Sequence, residues 1–245
     1  MLDILQNGLF GRWLPTETLN TPVLWFLLPA LLGYLFGSIN SAVLISRALF
    51  GKDVRTMGSG NAGLTNMLRV FGKKAAVLTL FGDILKTALP ILLAGIAFGF
   101  HYASGIAAAY PCYVAGLFCV IGHIKPIYYG FRGGKGVLSA ATMVLILAPV
   151  VFLILLITFV LLVWMTKYVS LGSIVVAGLL PVALQGYMQV VANEKYDGFI
   201  LLIGFVLAAI IIICHRANLG RLWRHEESKL SFRSKSDEDE NGGKK

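Results

Sequence analysis

Along most of this chain apolar positions do not alternate with polar ones but run on. The stretches "TPVLWFLLPALLGYLFGSINSAVLI", "VVFLILLITFVLLVW" and "FILLIGFVLAAIIIIC" hold no charged residue, and about 20 consecutive apolar residues cross the hydrocarbon core of a bilayer as a helix. The pattern predicts apolar helices near 23–49, 75–98, 107–121, 137–147, 150–165, 169–191 and 198–214. The expected fold is therefore all-α, a polytopic integral membrane helix bundle of about seven transmembrane segments. The fourth is short: its helical rise of about 17 Å falls well below a full crossing, so it is tilted or partly re-entrant.

Composition agrees with a membrane solvent, since 57% of the 245 residues are apolar and 13% are charged, against roughly 25% charged in an average soluble domain. Charge then sets the orientation. Lys52, Arg55, Arg69, Lys73 and Lys74 flank one turn and Lys125, Arg132 and Lys135 another, whereas "FHYASGIA" has no Lys or Arg and "NEKYDG" is net acidic. Basic loops favour the cytoplasm. A single helix over 137–165 would put the acidic loop inside and the basic C-terminal region outside, while a break near Ala148 and Pro149 returns both to their favoured sides. This places the N-terminus outside and the C-terminus in the cytoplasm.

The first 20 residues lack the basic start, apolar run and small-residue cleavage site of a removable signal peptide. Cys112, Cys119 and Cys214 lie in apolar segments without repeated spacing, a pattern of packed thiols with neither a disulfide framework nor a metal site. Residues 1–229 form one membrane domain, and 230–245, ending "SKSDEDENGGKK", read as a disordered polar tail.

Three polar clusters fall on the expected cytoplasmic side. In "DVRTMGSGNAGLTNMLR", Gly58, Gly60 and Gly63 allow close backbone approach, and Ser59 or Asn61 is placed to cap a helix. Asn61, Thr65 and Arg69 recur every four residues, so one helix face would offer an amide, a hydroxyl and a guanidinium to an oxyanion. An exposed polar face beside a turn is the plainer alternative. In "GFRGGKGV" the N–H groups of Gly133, Gly134 and Gly136, the charge of Lys135 and a following helix N-terminus have the ingredients of a phosphate cradle. It is not a nucleotide P-loop, lacking the glycine spacing and the Ser or Thr after Lys. A basic surface loop would explain its charges but not its glycines. In "HRANLGRLWRHEESKL", His215 and Asn218 share a helical face and Arg216, Arg221 and Arg224 can meet lipid headgroups. Together the clusters indicate a shared site for phosphate-bearing molecules.

Asp83 and Lys86, three apart in an apolar span, are expected to pair facing the bundle interior. His101 is assigned to an outer loop and His225 to a solvated face.

In this order the motifs "GSGNAGLTNMLR", "GHIKPIYYGFRGGKGV" and "HRANLGRL" resemble those of the bacterial acyl-phosphate-dependent glycerol-3-phosphate acyltransferases, the PlsY family. The resemblance runs from about Gly33 to Lys229. It implies a seven-helix enzyme of the bacterial cell membrane with its site facing the cytoplasm. Its reaction would move a fatty acyl group from acyl-phosphate to the 1-hydroxyl of glycerol 3-phosphate, giving lysophosphatidic acid and inorganic phosphate as the first step of phospholipid synthesis. It further implies that Ser59, Thr65 and Arg69 bind substrate phosphate, that Lys135 with Gly133 and Gly134 forms a phosphate loop, and that His215 and Asn218 contact glycerol 3-phosphate. Ser170 and Ser173, in "KYVSLGSI", resemble a further phosphate-binding helix start, and either serine fits. The family often has phenylalanine where Lys125 stands and lysine where Arg132 stands. Its usual Gly-x-Glu-x-Lys pattern begins with His225 here, with Glu227 and Lys229 retained, so the tail is given less weight in the site.

Acyl-phosphate carries its own leaving group, so orientation and electrostatics could supply much of the rate. There is no Gly-x-Ser-x-Gly elbow, which disfavours an acyl-enzyme. The attacking hydroxyl gives its proton either to a substrate phosphate oxygen or to His215. Partners implied are the two phosphate-bearing substrates, membrane lipids and an enzyme that makes acyl-phosphate. No cofactor, metal or nucleic acid is expected. A phosphate transporter would also want oriented N–H groups, but the motifs gather at one face and no internal repeat is visible. A lipid-binding scaffold would explain the basic tail and leave the glycines unused.

Overall fold

The computed structural model describes residues 8–9, 26–99, 102–103, 106–107, 110–191 and 197–230. The expected absence of a signal peptide, the outer-loop His101 and the polar tail beyond Leu230 concern segments wholly or largely outside those residues. The chain forms helices α1 (Leu28–Gly37), α2 (Ser41–Phe50), α3 (Leu64–Phe98), α4 (Tyr110–Ile124), α5 (Val137–Leu147), α6 (Pro149–Thr166), α7 (Val169–Gly186), α8 (Gly198–Cys214) and α9 (Arg216–Trp223). Among the described residues the strands are a two-residue antiparallel pair, β1 (Tyr102–Ala103) with β2 (Ile106–Ala107).

Among the described residues, five helical stretches are long and apolar enough to cross a membrane, and a sixth joins them if α8 and α9, bent by 57°, count as one span. The short fourth segment is the eleven-residue α5. Its expected end is correct: Ala148 leaves helical geometry and Pro149 opens α6, where the missing proline N–H costs nothing. The first apolar segment differs from the single helix expected, because Ser38 and Ile39 break it and Asn40 caps α2 by accepting from the Val43 N–H at 3.1 Å. The second begins at Leu64 rather than near 75 and kinks at Gly72, whose φ is 78°. The third begins at Tyr110 rather than 107.

With lipid outside, close helix approach depends on small residues rather than on hydrophobic drive. Gly33 and Gly37, four apart on α1, supply it: a Cβ on either would overlap the carbonyl oxygen of Ala115 or Cys119 on α4. One buried cluster spans α3 to α8 through Ile91, Val120, Met143, Leu147, Leu180 and Leu207. By contrast α6 buries Val151 alone among its described positions, as suits a helix facing lipid. The ends of α3, α5, α7 and α8 then gather around one cavity.

Candidate functional site

The first polar loop is organised by a residue that periodicity does not single out. Asn66, 1% exposed, accepts from the Ser59 N–H at 2.9 Å and donates to the carbonyls of Met57 and Val54 at 3.0 and 3.2 Å. Gly58 sits at φ 58°, where a Cβ would overlap the Asn66 amide oxygen. The loop therefore curls around Asn66. This corrects the capping expectation: α3 starts after Gly63 with no side-chain cap, so Asn61 precedes the helix and neither it nor Ser59 caps it. Asn61, Thr65 and Arg69 nonetheless line the same cavity, as does Ser59. Arg69 has no ion pair or hydrogen bond among the described residues, so its guanidinium fork is free for a ligand.

The glycine loop is corrected more sharply. The N–H groups of Gly133 and Gly134 are not free donors, because they bond to the carbonyls of Ile124 at 3.2 Å and His123 at 3.1 Å. Neither glycine lines the cavity, while Lys135 and Gly136 do. Gly136, at φ 81°, turns the chain into α5. From outside, Arg55 donates to the carbonyls of Tyr129 at 2.8 Å and Arg132 at 3.0 Å, while Asp53 grips the same guanidinium at 2.8 Å. The Arg55 guanidinium holds the Asp53 carboxyl well below the usual carboxylate range. Lys125 and Arg132 are exposed and absent from the cavity wall, so their departure from the family pattern leaves the site's lining unchanged.

The third cluster closes the site with a carboxylate. The Glu227 carboxylate accepts from Asn218 at 2.6 Å, from Ser170 at 2.8 Å and from Arg221 at 2.6 Å, while Lys135 donates to the Asn218 amide oxygen. Burial pushes the Glu227 carboxyl up, but its hydrogen bonds to Asn218, Ser170 and Arg221 outweigh that and leave it below the ordinary range. The low weight given to the tail is thus corrected: Glu227 sits at the hub, and residues 227–230 line the cavity. Their path is pinned by the Leu230 N–H on the Lys167 carbonyl at 2.8 Å. His225 is exposed, as expected, at φ 58°, a left-handed conformation where glycine is at ease and histidine is tolerated. The two serines separate: Ser170 joins the carboxylate hub, whereas Ser173 donates to its own helix at Val169. His215 Nδ1 lies 2.8 Å from the Ile211 carbonyl. That oxygen can only accept, so the ring proton is on Nδ1 and Nε2 is left as an acceptor.

Burial lowers the Lys135 ammonium below its ordinary range, Glu227 works against this, and Arg221 and Arg69 reinforce it. Three cations thus converge with one carboxylate, an arrangement that favours a dianionic ligand. The cavity, about 1450 Å³, continues from this polar end past Leu138, Leu145, Phe152, Phe159 and Leu180. A molecule with an anionic head and a long apolar tail matches both ends.

Asp83 and Lys86 form the expected ion pair at 2.8 Å, both nearly inaccessible to solvent. Sequence reasoning missed its third member, His123, whose Nδ1 is 2.8 Å from Lys86 Nζ. The only sequence signal was a histidine inside the motif "GHIKPIYYG".

Residues 27–225 match the family model for glycerol-3-phosphate acyltransferase. The glycerol-3-phosphate acyltransferase of Clostridioides difficile is 38% identical over 205 residues, 84% of this chain and 95% of that one. Its counterpart from Finegoldia magna is 39% identical over 207 residues, 84% of this chain and 97% of that one. Among solved structures, PlsY, an integral membrane glycerol 3-phosphate acyltransferase, in its glycerol 3-phosphate form superposes with a TM-score of 0.71 at 34% identity, covering 84% of this chain and 95% of that one. A second crystal structure of PlsY, in a lysophosphatidic acid form, gives 0.69 at 32% identity. With its motifs, helical fold and site in agreement, this chain belongs to the glycerol-3-phosphate acyltransferase family of integral membrane enzymes.

Proposed function

We propose that the acyl donor is acyl-phosphate and that the products are lysophosphatidic acid and inorganic phosphate. The observation that carries this reading is the single cavity whose cationic end, at Arg69, Lys135 and Arg221, opens into an apolar trough. Glycerol 3-phosphate and the donor's phosphate share the cationic end, and the acyl tail follows the trough without passing through water. The 1-hydroxyl oxygen attacks the acyl carbon, the bond from that carbon to the phosphate oxygen breaks, and phosphate departs. Arg69 and Lys135 hold the charges close and stabilise the oxygen on which negative charge grows. Asn218 and Glu227 orient Lys135 and Arg221.

The proton of the attacking hydroxyl passes to a phosphate oxygen of the substrates. A second route has a specific observation behind it: with Nδ1 bound to the Ile211 carbonyl, His215 has Nε2 available as a base. Seven bilayer segments, an outward N-terminus and a cytoplasm-facing site in the bacterial cell membrane complete the reading, together with supply of the donor by an acyl-phosphate-producing enzyme. The test is incorporation of labelled glycerol 3-phosphate into organic-extractable product with palmitoyl-phosphate, palmitoyl-CoA or palmitoyl-acyl carrier protein as sole donor. Incorporation from palmitoyl-phosphate alone is expected. Incorporation only from a thioester donor would overturn the reading.

A further inference from the structure

Asp83, Lys86 and His123 belong to two helical stretches long and apolar enough to cross a membrane, where charged groups are expensive and mark function. Lys86 Nζ forms an ion pair with Asp83 Oδ1 at 2.8 Å and donates to His123 Nδ1 at the same distance, which orients the imidazole and sets its tautomer with the proton on Nε2. The other edge of that ring faces the glycine loop. A Cβ on Gly134 would overlap His123 Nε2, and one on Gly133 would overlap the His123 carbonyl oxygen. That carbonyl also accepts the Gly134 N–H at 3.1 Å, and Gly134 immediately precedes Lys135. The loop's two glycines are therefore needed as bare backbone that can lie flat on His123. Arg55 restrains the same loop from the opposite side through the Tyr129 and Arg132 carbonyls.

We propose that His123 is a positioning residue for Lys135, and that the intramembrane Asp83–Lys86 pair is retained to hold its ring against Gly134. His123 acts through the loop and not on the reacting atoms. The inference rests on the acyl-phosphate reading for its kinetic arm only.

The experiment uses the purified full chain as wild type, His123→Asn, Lys135→Ala and the double variant. Asparagine leaves an acceptor for Lys86 near the Nδ1 position and removes the ring edge beneath Gly134. Expected are a wild-type melting temperature, a rise of about tenfold in KM for a phosphate-bearing substrate, and a double variant no worse than Lys135→Ala. Residues that act through one another are non-additive. Effects that multiply in the double variant, or wild-type kinetics in His123→Asn, overturn the inference. Should His123→Asn not fold, His123→Gln is judged by the same criteria. A binding arm measures thermal stabilisation by inorganic phosphate, without any donor, and expects a partial loss in His123→Asn and no greater loss in the double variant than in Lys135→Ala. Wild-type stabilisation without palmitoyl-phosphate turnover would defeat the donor reading alone, whereas unchanged stabilisation in His123→Asn would defeat the positioning role.

Discussion

Ser170, near the start of α7, and Asn218, on α9, donate to the same oxygen of Glu227, at 2.8 and 2.6 Å. One carboxylate thereby ties the last helix to the seventh and, through Asn218, steadies Lys135. Glu227→Gln preserves shape while removing the charge. Hydrogen bonds to a charged group contribute about 1.5–3 kcal/mol, so the variant should lose at least about tenfold in kcat/KM, measured as acyl transfer at fixed glycerol 3-phosphate.

The same carboxylate makes stability depend on pH. Its folded-state value lies below its ordinary one, so its contribution is fully present above the unfolded glutamate range, near about 4.3, and is lost as pH falls through the folded value. Melting temperatures of wild type and Glu227→Gln, followed downward from neutral pH, should converge in the acid range. Parallel curves would contradict this.

Lys135 gives an alkaline counterpart. Because burial lowers its affinity for a proton, the rate should fall with rising pH before an exposed lysine, near about 10.4, would deprotonate. Lys135→Arg keeps its charge throughout and should lack that limb while turning over more slowly. The check is kcat/KM against pH for both proteins.

Asn66→Ala should cost both stability and activity. It strands the Ser59 N–H and two carbonyls, and an unsatisfied buried polar group costs about 1–3 kcal/mol. Asn66→Asp keeps the acceptor for Ser59 but sets a buried carboxylate oxygen against the Val54 and Met57 carbonyls, so it should melt no higher than alanine.

What was legible in the sequence follows from the kind of signal each feature leaves. Apolar runs mark α6 and α8 because no charged residue interrupts them, and Pro149 marks the start of α6. The break at Ser38 and Ile39 was read through because no charged residue marks it, although Ser38, Asn40 and Ser41 stand there. At the site, the charged and hydroxyl residues announced themselves by type and compartment, and Arg69, Lys135, His215 and Asn218 do share one cavity. The glycines were misread because composition cannot distinguish an N–H left free for a ligand from one already bonded, as Gly133 and Gly134 are. Asn66 and Glu227 were undervalued for a related reason. Their importance is the set of partners they join, and those partners lie up to 57 residues away.

The most direct measurement is inorganic phosphate release by purified protein given palmitoyl-phosphate, with and without glycerol 3-phosphate, alongside Lys135→Ala. The account predicts release only with both substrates, lysophosphatidic acid in equal amount, and loss of both products in the variant. Folded wild-type protein that releases no phosphate, or Lys135→Ala protein that releases it at the wild-type rate, would contradict it.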